Sequence, residues 1–195
     1  MSNNRKFTIF ILALSLLLII LDQMTKFMVM GVPFLGIETK AIHPGEYISV
    51  IGDFLQLTYV ENAGMAFGIK FGSLKIILTL FSLIASLVIL YFIIKHDKAN
   101  NWIRLGLAII LAGAMGNFID RMFYGVWFQG GDLFYGRVVD FILVDIPDIK
   151  IGSLNYSHWP VFNIADSCVT IGVIILLFNY KHLTLLESKE KINEN

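Results

Sequence analysis

Long apolar runs separated by polar stretches dominate the chain, and their length, more than any periodicity, tells what they are. A helix crossing ~30 Å of hydrocarbon needs about 20 mostly apolar residues. Four stretches qualify, at about 8–28, 74–94, 103–122 and 161–180, and each is predicted to be a transmembrane helix. The first has the basic start of a signal peptide, with Arg5 and Lys6 ahead of an apolar centre. No small-x-small cleavage site follows residues 16–21, and the chain continues into Asp22 and Lys26, so this segment reads as an uncleaved anchor.

Between the first two spans the pattern changes. Leu55, Leu57 and Tyr59 alternate with Gln56 and Thr58 after a Gly52-Asp53 turn, which predicts strands in the segment 31–73. The other long segment, 123–160, carries Phe123, Tyr124, Trp127, Phe128, Phe134 and Tyr135, rings that suit the headgroup region. Gly125, Gly130, Gly131 and Gly136 loosen that stretch enough for it to act as a lid. On the third span, Ala108, Ala112 and Gly116 recur every four residues and predict a face that a neighbouring helix approaches closely. The expected fold is a membrane all-α bundle of four transmembrane helices with a small β-rich cap on the outer face, forming a single integral-membrane domain over 1–195.

Composition agrees: 56% of the 195 residues are apolar and 15% are charged, against roughly 25% charged in a soluble domain. The mean hydropathy is +0.72. With zero net charge the chain offers no electrostatic footprint for nucleic acid. Cys168 is the only cysteine and reads as a small buried thiol. Basic residues orient the spans. Arg5, Lys6, Lys95, Lys98, Arg104, Lys181, Lys189 and Lys191 fall on one side, and Lys40, Lys70, Arg137 and Lys150 on the other. That bias predicts cytoplasmic termini and an outward-facing 31–73 and 123–160.

Ionisable residues at membrane depth are costly and therefore candidates for function. Asp22 and Lys26, four apart on one helix face, form either an interfacial ion pair with a snorkelling lysine or a device that positions the site. Asp120 and Arg121, with Asn117 on the Asp120 face, read as a structural bracket at the end of the third span. Asp140 interrupts an apolar run, and Asp166 begins the fourth span, where Asn163 can cap the helix three residues earlier. His43, His96, His158 and His182 are scattered, which argues against zinc. With no Ser-His pair and no glycine-rich phosphate loop, two carboxylates remain. Two aspartates within a few Å share one proton, and such a pair activates water while protonating a carbonyl oxygen. A small proton- or ion-coupled membrane carrier using Asp22, Lys26, Asp120 and Asp166 as a relay is the alternative, and a purely structural subunit is a third reading.

Five segments, in order, carry a resemblance: Asp22-Gln23-Met24-Thr25-Lys26; Glu61-Asn62-Ala63-Gly64-Met65-Ala66-Phe67-Gly68; Gly113-Ala114-Met115-Gly116-Asn117-Phe118-Ile119-Asp120-Arg121; Val138-Val139-Asp140-Phe141; and Phe162-Asn163-Ile164-Ala165-Asp166-Ser167. Together they resemble bacterial lipoprotein signal peptidase, or signal peptidase II. The resemblance implies a membrane aspartic protease of the bacterial inner membrane that cuts a prolipoprotein before its diacylglyceryl-modified cysteine. It implies Asp140 and Asp166 as the catalytic dyad, supported by Asp22, Lys26, Asn62, Gly64, Gly113, Asn117, Arg121, Asn163 and Ala165. It further implies lipid-modified prolipoproteins and membrane lipids as partners, globomycin-type peptides as inhibitors, and no metal or organic cofactor. Residues 122–137 and 143–158 are longer than the family usually carries, which bears on flap shape and substrate entry.

Overall fold

The computed structural model describes residues 2–33, 36, 39–64, 75–151 and 154–180. The elements are helix α1 (Asn3–Met30), strands β1 (Ile48–Ile51) and β2 (Leu55–Asn62), helices α2 (Lys75–Lys95) and α3 (Asn101–Ile119), a π-helical turn Asp120–Tyr124, helix α4 (Gly125–Phe128), strands β3 (Val138–Ile151) and β4 (Leu154–His158), and helix α5 (Ile164–Phe178). Among the described residues, three helical stretches are long and apolar enough to cross a membrane: Asn3–Met30, Lys75–Lys95 and Asn101–Phe128, the last joining α3 to the π turn and α4. The expected fourth span, 161–180, is the shorter α5, of 15 residues. It starts late because Phe162 is held in extended pairing with Ile142, donating to and accepting from its backbone. The third span runs past the expected 122, so residues 123–128, expected in the outer loop, are helical.

The chain forms two compact units. The first comprises Met1–Ile20, Leu80–Phe118 and Ile164–Asn195, and the second Leu21–Thr79 and Ile119–Asn163. In the first, Ile11, Ile93, Ala108 and Leu111 are buried, with Phe7, Leu12, Ile89, Leu90 and Met115 packed on them. Polar groups turn inward: Ser15 donates to the Ala108 carbonyl at 2.7 Å, and the buried Arg104 donates to the Asp97 carbonyl at 3.0 Å and to the Thr8 hydroxyl. Large apolar side chains such as Phe81, 70% exposed, point outward. That inversion suits hydrocarbon as the solvent.

Small residues set how α3 meets α5. A Cβ at Gly113 would strike the Ala165 carbonyl and lie 2.7 Å from the Val169 side chain, and one at Gly172 would lie 2.7 Å from the Gly106 carbonyl. The close face toward α5 is therefore Gly106–Gly113, seven residues apart, whereas the expected Ala108 row receives Ser15 of α1.

The second unit holds an antiparallel sheet in the order β1-β2-β3-β4. The turn at Gly52 joins β1 to β2 as the alternation predicts, pairing Ile48 with Leu57. Strand β3, absent from the sequence-based expectation, pairs Asn62 with Val138 and Val60 with Asp140, with a register shift between Leu57 and Val60. Residues 138–141 are all buried, so the start of β3 lacks the in-out alternation that marks a half-exposed strand. Gly125 and Gly136 serve close packing, in contrast to the looseness expected of them: a Cβ at Gly136 would strike the Asp120 carbonyl, and one at Gly125 the Asp132 carbonyl.

Candidate active site

In the second unit, Asp140 sits on β3 with its side chain buried at 2% exposure. Asn62, at the end of β2, donates its side-chain amide to Asp140 Oδ2 at 3.0 Å. Asn163, fully buried ahead of α5, donates to Asp140 Oδ1 at 2.7 Å and to the Val139 carbonyl at 3.3 Å. Each carboxylate oxygen thus faces an oriented amide that holds it in place while adding no charge. Asn62 is itself fixed, because its Oδ1 accepts the Gly64 N–H at 2.9 Å. Gly64 has a φ of +80°, a conformation that disfavours a side chain. Residues 65–68 of the same sequence block lie outside the described residues.

In the first unit, Asp166 lies in the first turn of α5, half-buried, and accepts the Asn117 side-chain amide at 2.8 Å. The Gly113–Ala165 contact brings the helices close enough for that reach.

A second polar cluster belongs to the second unit. Lys26 Nζ lies 2.8 Å from Asp22 and 2.7 Å from Asp120, all three essentially inaccessible. The snorkelling lysine expected as one reading of the Asp22–Lys26 pair is thus replaced by a buried bridge. The bracket expected of Asp120 and Arg121 is likewise corrected: the ion-pair partner of Asp120 is Lys26. Gln23 donates to Asp22 at 3.1 Å and to Asp120 at 3.0 Å, and it accepts the Tyr124 hydroxyl at 2.9 Å. The other Asp120 oxygen also accepts the Val139 N–H at 3.2 Å, one residue before Asp140. Neither Gln23 nor Tyr124 is evident as a site-related residue in the sequence; the only signal is the position of Gln23 inside the first block. Arg121 lines a narrow recess with Asn62, Ala63 and Gly136.

Nearby, Arg137 pairs with Glu61 at 2.8 Å, and Tyr59 donates to Glu61 at 2.6 Å. Burial, reinforced by the Glu61 carboxylate, pushes the Tyr59 phenol above its ordinary value. The Gln129 side chain clamps the start of β3, accepting the Arg137 N–H at 2.7 Å and donating to the Arg137 carbonyl at 3.0 Å.

The family model for Signal peptidase (SPase) II matches residues 14–181. The chain belongs to the signal peptidase II family. The lipoprotein signal peptidase of Pelodictyon phaeoclathratiforme is 36% identical over 173 residues, covering 89% of this chain and 90% of that protein. The lipoprotein signal peptidase of Porphyromonas gingivalis is 35% identical, covering 93% and 88%. A solved bacterial membrane enzyme, determined by the in meso method at 2.3 Å, aligns with a TM-score of 0.61 at 30% identity, covering 94% of this chain and 90% of its own. A second such structure gives a TM-score of 0.62 at 31% identity, with 89% and 91% coverage. Signal peptidase II enzymes are aspartic peptidases of bacterial membranes, and this multi-pass chain is one. Membership sets aside the ion-coupled carrier.

Proposed function

We propose that this signal peptidase, acting as one integral-membrane domain, cleaves prolipoproteins before a diacylglyceryl-modified cysteine, with Asp140 and Asp166 as its catalytic pair. The observation that carries the residue assignment is the amide cradle of Asp140, in which Asn62 and Asn163 each donate to one carboxylate oxygen. Asn117 gives Asp166 a similar donor. These amide donors orient the carboxylates and support their ionised form while adding no charge of their own. The assigned support residues Asn62, Asn117 and Asn163 therefore orient the acids, with Gly64 holding Asn62 through its N–H and Gly113 and Ala165 providing a close backbone approach. Asp22 and Lys26 act through Asp120, and Arg121 lines the recess beside Asn62.

In the reaction, one aspartate takes a proton from water while the other, protonated, hydrogen-bonds the scissile carbonyl. Water oxygen adds to the carbonyl carbon, giving a tetrahedral intermediate. The C–N bond then breaks as the nitrogen leaves with a proton from the pair. No covalent acyl-enzyme forms. The active site faces outward from the bacterial inner membrane, as the distribution of basic residues favours.

Acyl chains supply binding energy of about 0.8 kcal/mol per buried methylene. Purified enzyme in detergent should therefore cleave a diacylglyceryl-modified precursor far faster than the same precursor unmodified. Equal turnover of the two would remove the lipid requirement while leaving the protease assignment in place.

A further inference from the structure

We infer that Tyr124 and Gln23 are positioning residues for Asp140, acting through Asp120 and the backbone of β3. This rests on the assignment of Asp140 as catalytic, and all its members lie in the second unit. The links are sequential. The Tyr124 hydroxyl donates to Gln23 Oε1 at 2.9 Å. Gln23 Nε2 donates to Asp120 Oδ1 at 3.0 Å and to Asp22 at 3.1 Å. Asp120 Oδ2 accepts the Val139 N–H at 3.2 Å, and Asp140 follows directly. The Val139 carbonyl accepts from Asn163, whose amide also holds Asp140 at 2.7 Å. Both peptide groups flanking the Val139 side chain are thereby tied to side chains close to Asp140.

The chemistry dictates the direction of each bond. Asp22 and Asp120 are acceptors, so Gln23 must turn its NH₂ toward them and its carbonyl away. A side-chain amide can flip by half a turn, and the reversed form would aim an oxygen at two carboxylates. The Tyr124 hydroxyl, donating to that carbonyl, selects the productive orientation. Asp120 and Tyr124, four residues apart, share one helical face, and both side chains bond Gln23. Tyr124 is fully buried, with Phe27 and Phe128 against its ring at 6.1 and 5.1 Å. Those ring contacts hold its position without needing the hydroxyl.

Tyr124→Phe keeps the ring and removes one donor. Misplacement of a reacting group by about 1 Å costs on the order of 100-fold in rate, so the smaller shift here should lower kcat roughly 10-fold. KM for a lipidated precursor should stay within about twofold, since substrate contacts are unchanged. Gln23→Leu should lower kcat at least as much. The double variant should fall no further than the worse single, because both act on one link. Rates are normalised to folded enzyme by inhibitor titration, which removes any loss due to misfolding alone. Wild-type kcat in Tyr124→Phe, a rise in KM that accounts for the loss, or multiplicative effects in the double variant would each overturn the inference. Asp140→Asn, measured alongside, separates the two claims. If it is inactive while Tyr124→Phe is normal, only the positioning role fails; if it is active, the catalytic assignment itself fails.

Discussion

Asp140 and Asp166 each accept side-chain amides, and Asp22 and Asp120 share a lysine. Replacing Asp140 or Asp166 by Asn preserves size and hydrogen bonding but abolishes proton transfer. Each single variant should fold, bind globomycin to a degree and lose at least ~10²- to 10⁴-fold in turnover of a lipidated precursor. The double variant should lose little more. Lys26 behaves differently, because removing one partner of a buried ion pair leaves an uncompensated charge costing about 3–5 kcal/mol. Lys26→Met should therefore lower the thermal midpoint in detergent substantially. Adding Asp22→Asn and Asp120→Asn to it should restore much of the loss; an unchanged midpoint in Lys26→Met alone would contradict the buried bridge.

At the scale of elements, the close approach of α3 and α5 depends on missing side chains. A Cβ at Gly113 meets backbone at Ala165, which cannot yield, whereas one at Gly106 finds its nearest atoms at 3.1 Å. Gly113→Ala should then cost about 1–3 kcal/mol of overpacking and reduce cleavage by loosening the Asn117–Asp166 bond, while Gly106→Ala should be milder in both. Thermal unfolding and initial rates of the two variants test the ranking. The same elements mark where the sequence can be read and where it cannot. Runs of 20 apolar residues announce the spans, and the alternation of Leu55, Leu57 and Tyr59 announces β2. Strand β3 is hidden because its first four residues are buried on both faces, which removes the alternation that would announce it. The π turn is hidden because an extra residue per turn leaves no mark in composition. Adjacency in sequence groups Asp120 with Arg121, whereas in the fold its carboxylate meets Lys26. Asp22 and Lys26 were legible as a pair because four-residue spacing on a helix is enough to join them.

Across the whole molecule, the basic-residue bias predicts that Lys98 and Asp53 lie on opposite sides of the membrane. In a Cys168→Ser background, Lys98→Cys should resist an impermeant thiol reagent on intact cells and Asp53→Cys should react; equal labelling would reverse or abolish the orientation. The buried Asp22–Lys26–Asp120 bridge has a further consequence, for how the chain is assembled. Ribosomes deliver α1 first, and its Asp22 and Lys26 enter the bilayer already neutralising each other. Asp120 arrives much later, 97 residues beyond Gln23, on a span that must carry an acid into hydrocarbon. Inserting an acid costs at most about 2.5–3.5 kcal/mol, the figure for the centre of a span. Lys26, waiting on the first helix, offsets that cost once the two meet. The first span is thus an anchor during synthesis and afterwards the receptor for the third, so a nascent chain stalled before α3 holds a membrane position but lacks the charge that completes its interior.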